Sequence, residues 1–405
     1  MKFPDIELFI KNYIINRKSS LFQNDIESNK LELSKKIKNK SVLVIGGAGT
    51  IGSSFVRALL DFNPSTLIVV DTNENGLTEL TRKLRSDRSV KIPERYLTYP
   101  MSFASHTFDK ILANYNFDIV ANFAAHKHVR SEKDVTSIEA MFDNNVFNAQ
   151  ELLSKLIKNP PKQFFCVSTD KAANPVNIMG GSKKIMENLI MSYALDFNIT
   201  TARFANVAFS NGSLLDGYIN RLLQKQPISC PSDVMRFFVS PEESGQICLL
   251  ACMLGNSGDI FFPKLQEDHM VNFMDITKNF FKYLNLEICY CQSEEEAKLK
   301  AKNINDYNDL KEYPVYFFKS DTSGEKLFEE FYEKEDQIDL SKFKKLGVIR
   351  NNINNNKEEI INTLQNLKNV FKRKGSTKSD IVNAMTSILP EFNHIETGKS
   401  LDQKM

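Results

Sequence analysis

Two stretches of this chain carry side chains whose types and spacing can do chemistry. In the first, Thr169, Asp170 and Lys171 are consecutive, polar, and preceded by the apolar run Phe164 to Val167. Lys183 lies one helical turn beyond Met179 in the segment that follows. Polar runs of this kind are usually solvated loops. The end of a strand in an α/β sheet, however, is where such sheets open their ligand crevice. The second stretch is Gly46-Gly47-Ala48-Gly49-Thr50-Ile51-Gly52, with glycines at 46, 49 and 52. That spacing between a strand and a helix bares backbone N–H groups to a pyrophosphate at a helix N-terminus. Asp71 ends the next apolar run, 19 residues past Gly52. A carboxylate there accepts hydrogen bonds from an adenosine ribose and repels a 2′-phosphate, which favours NAD over NADP.

Both stretches require a scaffold of alternating strands and helices. Ser41 to Ile45, Leu67 to Asp71, Asp118 to Phe123 and Gln163 to Ser168 read as short buried strands. Ser53 to Leu60, Asp109 to Tyr115 and Glu151 to Ile157 read as helices between them. The expectation is an α/β fold: a Rossmann-type doubly wound parallel sheet with a smaller α/β substrate-binding cap. Residues 1–39, with Ile6, Phe9, Ile10, Tyr13 and Ile14 at helical spacing, read as an N-terminal helical arm. Residues 40–207 read as the NAD-binding Rossmann domain, with 240–265 returning to it. Residues 208–350, broken by turn signals, read as mainly the substrate-binding cap. Residues 351–405 read as a polar linker and helical C-terminal tail, loosely ordered from Gly375.

Composition narrows the function classes. The 405 residues carry 52 basic and 50 acidic side chains, a net charge of +2 that gives no electrostatic case for nucleic acid or an anionic membrane. No stretch approaches 18 uninterrupted apolar residues, so no membrane span is expected. Met1 to Ile15 mixes Asp5, Glu7 and Lys11 into its apolar residues, unlike a signal peptide. Six scattered cysteines without a C-x-x-C read as reduced thiols, and a cytoplasmic protein is the expectation. His126-Lys127-His128 lacks a third ligand, so no metal site is expected and contacts to sugar or cofactor are the better reading.

The run Ser168-Thr-Asp-Lys-Ala-Ala-Asn-Pro-Val-Asn-Ile-Met-Gly-Gly-Ser-Lys-Lys184 resembles the signature of the nucleotide-sugar 4,6-dehydratases of polysaccharide biosynthesis. This branch of the extended short-chain dehydrogenase superfamily includes the UDP-N-acetylglucosamine 4,6-dehydratases. Val42 to Gly52, Asn122 to Asp134, Arg203 to Ser213, Met235 to Ser244 and Ser323 to Phe331 agree with it in the same order. Pro100-Met101-Ser102 and Arg130-Ser131-Glu132 depart from the commonest pattern. Met179 stands where the wider superfamily has its tyrosine, as it does in active members of this branch.

The resemblance implies a cycle in which tightly bound NAD is regenerated. C4 of the sugar is oxidised, water is lost across C5 and C6, and the hydride returns to C6, giving a 4-keto-6-deoxy sugar. It makes Asp170 the acid, Lys171 the base, Thr169 the partner of the C4 hydroxyl and Lys183 the holder of the nicotinamide ribose. Gly46, Gly49, Thr50, Ile51, Gly52, Asp71 and Ala124 would complete the cofactor site. Lys127, His128, Met179, Asn206, Arg236 and Glu325 would face the substrate, with Asn206 and Arg236 on its diphosphate. A 4-epimerase and a non-enzymatic cofactor-binding scaffold are the competing readings. A homo-oligomer is expected, pairing through Ile185, Leu189, Ile190 and Tyr193 unless these pack in the core.

Overall fold

A computed structural model describes residues 4–304, 310–321, 326, 330–350, 353 and 356–396. Its strands in chain order begin with β1 (Ser41–Ile45), β2 (Thr66–Asp71), β3 (Arg95–Pro100), β4 (Ile119–Asn122), β5 (Gln163–Val167) and β6 (Ile199–Ala202). These run parallel in the order β3-β2-β1-β4-β5-β6. The core strands are short and apolar because both faces are covered by helices. The order reverses beside β1, so a crevice opens between the C-terminal ends of β1 and β4.

The chain then builds β7 (Asn206–Val207), β8 (Ile228–Pro231) and β9 (Met235–Val239), and returns to the main sheet with β10 (Asp259–Pro263), parallel to β6. The rest are β11 (Met270–Asn272), β12 (Glu287–Cys291), β13 (Glu312–Phe318), β14 (Ile338–Asp339) and β15 (Leu346–Ile349). β15 runs antiparallel on β10, and β14 antiparallel on β15. Ile338–Asp339 and Leu346–Ile349, within the stretch that spacing assigned mainly to the cap, are therefore strands of the main sheet. The cap consists of two three-stranded sheets, β11-β9-β7 and β12-β13-β8, with their helices. It has its own apolar cluster around Tyr218, Phe280, Phe281 and Tyr313.

The N-terminal arm belongs to both lobes. Phe9, Ile10 and Ile14 are buried in the cap cluster, whereas Phe22, Leu33 and Ile37 are buried in the main core. The C-terminal tail differs from the expected loose end. Helices Lys357–Lys372 and Lys378–Ile388 pack on helix Ile178–Met191 and its neighbours. Ile381 and Met385 are the buried residues of the second, and Leu389 and Phe392, just beyond its end, are buried with them. Ile185, Leu189, Ile190 and Tyr193 are fully buried within the single chain, so they form core and not an exposed pairing face. All six cysteines are free thiols.

Candidate active site

The glycine turn lies at the sheet's reversal point. Gly46 follows β1 with φ +72°, and a Cβ there would come 2.5 Å from the Ala124 nitrogen just past β4. Only glycine combines that backbone conformation with that close approach. Gly49 is the N-cap of helix Thr50–Leu60 and offers no side-chain cap, so the first N–H groups of the helix stay open to an anion. Asp71 ends β2 and braces the turn. Its Oδ2 accepts from the Ala48 nitrogen at 2.9 Å, and its Oδ1 from the Asn73 nitrogen at 2.9 Å. Thr50 Oγ1 accepts from the Asn211 nitrogen at 2.9 Å, which links this helix to the loop after β7. Gly46, Gly49, Gly52, Asp71 and Ala124 thus meet at one turn, where Thr50 and Ile51 begin the helix.

The acid–base segment leaves β5 one strand away. Asp170–Ala172 forms a single helical turn, and Asp170 is only 2% exposed. Asp170 Oδ1 accepts from Thr169 Oγ1 at 2.8 Å, the Lys171 nitrogen at 2.9 Å and Lys171 Nζ at 3.1 Å. The turn rests directly on helix Ile178–Met191: a Cβ on Gly180 would come 2.4 Å from the Lys171 carbonyl oxygen. Asn177 caps that helix, accepting from the Gly180 nitrogen at 2.7 Å. Met179 is buried, and its nitrogen donates to Glu132 Oε1 at 2.8 Å.

Lys183, on the same helix, is 4% exposed and donates to the Val167 carbonyl at the end of β5, at 2.6 Å. Burial pushes its amine below the ordinary lysine value, and Glu187 and the Cys166 thiol only partly oppose this. Sequence reasoning missed the brace beneath. Glu187 and Arg203 form a buried ion pair, Nη2 to Oε2 at 2.7 Å, and Ser168 Oγ donates to Glu187 Oε1 at 2.6 Å. Burial pushes the Glu187 carboxyl up, but the adjacent guanidinium more than offsets it and the net shift is downward.

A cleft of about 680 Å³ opens between this segment and the cap. Lys127, His128, Lys171, Asn206 and Arg236 all line it. The small sheet explains the meeting of Asn206 and Arg236: Asn206 on β7 pairs with Phe238 on the strand that carries Arg236. Lys127 Nζ donates to the Asn211 carbonyl at 2.9 Å. Burial holds that amine below its ordinary value, with Asp216 opposing. Burial, then Lys127, Arg130 and His126, hold the His128 imidazole below its ordinary value, so it is neutral at pH 7. Arg130, from the segment that departs from the common pattern, also lines the cleft, as do Asp216 and Arg221, which were not singled out from sequence. Glu325 lies outside the described residues. Among the described residues no cluster of three His, Cys, Asp or Glu side chains offers a metal site. Among them, too, no helix is long and apolar enough to cross a membrane.

A family model described as polysaccharide biosynthesis protein matches residues 42–351. An uncharacterized membrane protein of Methanocaldococcus jannaschii is 30% identical over 327 residues, covering 78% of this chain and 88% of that one. The capsular polysaccharide biosynthesis protein CapD of Staphylococcus aureus is 26% identical over 318 residues, 78% of this chain and 48% of CapD. The chain thus spans about half of that relative's length. A UDP-glucose 4-epimerase of Rickettsia canadensis is 28% identical over 232 residues, 56% of this chain and 66% of that enzyme. Among solved structures, Pen from Bacillus thuringiensis matches with a TM-score of 0.62 and 22% identity, over 82% of this chain and 98% of Pen. DesIV, a dTDP-glucose 4,6-dehydratase from Streptomyces venezuelae solved with NAD and TYD bound, matches with a TM-score of 0.54 and 19% identity, over 72% of this chain and 88% of DesIV. The structural likenesses are likenesses of fold.

Proposed function

This chain belongs to the polysaccharide biosynthesis protein family, and we propose that within it the chain is an NAD-dependent nucleotide-sugar 4,6-dehydratase acting on UDP-N-acetylglucosamine or a close nucleotide sugar. The observation that carries this reading is the Asp170–Lys171 pair, Oδ1 to Nζ at 3.1 Å, at the edge of the cleft beside the helix of Lys183. Oxidation and reduction at C4 alone need no such pair. Elimination across C5 and C6 needs both an acid and a base.

The cofactor reading rests on the cradle at Gly46, which a Cβ would fill, and on the open helix N-terminus beside Asp71. NAD, when bound, supplies the acceptor and donor of the hydride. The protein's own residues do the rest. Thr169 holds the C4 hydroxyl in position. With a ketone at C4, the C5 proton becomes acidic and passes to Lys171 Nζ. The C6 hydroxyl takes a proton from Asp170 and leaves as water. As the hydride leaves C4, the hydroxyl proton passes through Thr169 Oγ1 to Asp170 Oδ1, 2.8 Å away, which supplies the proton that the C6 hydroxyl needs; when the hydride adds at C6, Lys171 returns its proton to C5. Lys183 positions the nicotinamide ribose, and Asn206 and Arg236 hold the diphosphate, for which a guanidinium's planar fork is suited.

A 4-epimerase is the second reading, favoured by the similarity to the Rickettsia canadensis enzyme. Incubation of the purified protein with UDP-N-acetylglucosamine, followed by mass measurement of the product, separates the two. Loss of one water supports the dehydratase. A C4 epimer of unchanged mass overturns it in favour of the epimerase.

A further inference from the structure

The cleft contains a cation that the proposed chemistry leaves unused. Helix Leu214–Leu223 buries Leu215, Tyr218 and Leu222 in the cap core. Its other face, carrying Gly217, Asn220 and Arg221, lines the cleft. Residues three and four apart share a helix face, so this wall follows from the spacing. Gly217 is anomalous there, because glycine inside a helix costs about 1 kcal/mol relative to alanine. Space accounts for it. A Cβ at 217 would come 2.5 Å from Arg221 Nη1, so the guanidinium occupies the notch that glycine leaves. Helical side chains lean toward the N-terminus, which carries Arg221 back over residue 217. Arg221 is half-buried, and its guanidinium has no hydrogen-bond or ion-pair partner among the described residues.

We propose that Arg221 is a specificity-determining residue that binds the diphosphate of the substrate alongside Arg236, with Gly217 as the notch that aims it. The proposal rests on the nucleotide-sugar reading above. Lys127, Arg130, Lys171, Arg221 and Arg236 line the cleft, whereas among the described residues Asp216 is the one acidic side chain that lines it. Such an excess selects an anionic ligand. Two guanidinium forks lining one cleft, one from the helix and one from β9, suit the several oxygens of a diphosphate better than a single phosphate.

The test is calorimetric titration of the intact protein, as purified, with UDP and with UMP. Arg221→Met weakens UDP binding about tenfold or more, the usual scale for a lost charge-assisted hydrogen bond, and weakens UMP binding less. In turnover it raises KM with little change in kcat, because the contact is the same in ground and transition states. Gly217→Ala keeps every charge but fills the notch. It raises the melting temperature, since alanine is the better helix former, while weakening UDP binding several-fold. Unchanged UDP affinity in Arg221→Met overturns the assignment, and unchanged affinity in Gly217→Ala overturns the notch. A wild-type protein that binds none of UDP, GDP or dTDP overturns the nucleotide-sugar reading itself, and this inference with it.

Discussion

At the scale of single residues, Asp170 and Lys171 bear the most specific expectations. Asp170→Asn keeps the shape and removes the proton donor; Lys171→Ala removes the base. Each variant slows water loss by about 10²- to 10⁴-fold, the usual contribution of general acid–base catalysis, while folding and NAD retention persist. Met179→Ala is far milder, because a thioether carries no proton. Steady-state product formation and the nicotinamide content of the denatured protein check all three. Near-normal turnover by both acid–base variants would remove their roles. His126 and His128 set a second expectation, a dependence of stability on pH. Burial is the leading cause that holds both imidazoles below the ordinary value of 6.5. As pH falls through about 6.5 the unfolded chain therefore binds protons that the folded chain refuses, and stability is lost from there downward. Above that value the two histidines exert no such penalty. Melting temperatures between about pH 7.5 and 5.5 should fall less steeply in the His126→Gln/His128→Gln double variant than in the wild type. Equal slopes would exclude these histidines. The acid–base pair and the glycine turn were legible because motif chemistry is local. Glu187–Arg203 and Arg221 were not, since they acquire meaning only when a helix and a distant strand meet.

At the scale of elements, β1, β2, β4 and β5 were legible because each is a short apolar run, whereas β3, with Arg95, Thr98 and two tyrosines, and the late strands β14 and β15 carry no such signal. The tail was less so. Its helix Lys378–Ile388 buries only Ile381 and Met385, and these, with Leu389 and Phe392 beyond its end, gain meaning only once they are given a surface to cover. That surface includes Gly181, where a Cβ would come 2.3 Å from the Met385 methyl and 3.3 Å from the Phe392 ring. Beyond the helix the Ile395 nitrogen donates to the Val176 carbonyl at 3.0 Å, and His394 Nε2 lies 3.8 Å from Glu132 Oε2. Glu132 in turn accepts from the Met179 nitrogen, so the docked tail buttresses the start of the helix that carries Lys183. Gly181→Leu should therefore unseat the tail without touching any reacting group. Limited proteolysis after about residue 375 is expected to accelerate, since exposed, loosened segments are cut first, together with a fall in kcat. A variant as protease-resistant as the wild type would show that the tail docks without that notch.

At the scale of the whole molecule, the open question is what holds the cap at a fixed angle over the cofactor crevice. The arm answers it physically, because it is packed into both lobes and crosses between them at Arg17. Arg17 donates to Glu243 from Nε at 2.7 Å and from Nη2 at 2.8 Å. Glu243 is fully buried and already completes the capping box of helix Pro241–Leu254, which packs on the helix after the glycine turn. It also accepts from the Leu21 nitrogen at 2.9 Å. One carboxylate thus ties together the arm, a helix cap and, through helix packing, the cofactor turn. Removing one partner of a buried pair leaves the other charge uncompensated, at a cost of about 3–5 kcal/mol. Arg17→Met should lower the melting temperature on that scale, and Glu243→Gln in the Arg17→Met background should restore part of it, because an amide carries no buried charge, although its single oxygen accepts from only one of the Leu21 and Ser240 N–H groups that the two carboxylate oxygens serve. The pairing with function is the sharper part. If the arm sets the angle between the lobes, Arg17→Met raises KM for the nucleotide sugar, whose contacts come from both lobes. It leaves NAD retention near wild type, because the glycine turn and Asp71 sit in one lobe. Calorimetric melting of the single and double variants, with KM measured well below each transition, tests both halves. A destabilised variant with unaltered KM would reduce the arm to a stabilising strap, and an unaltered melting temperature would remove even that role.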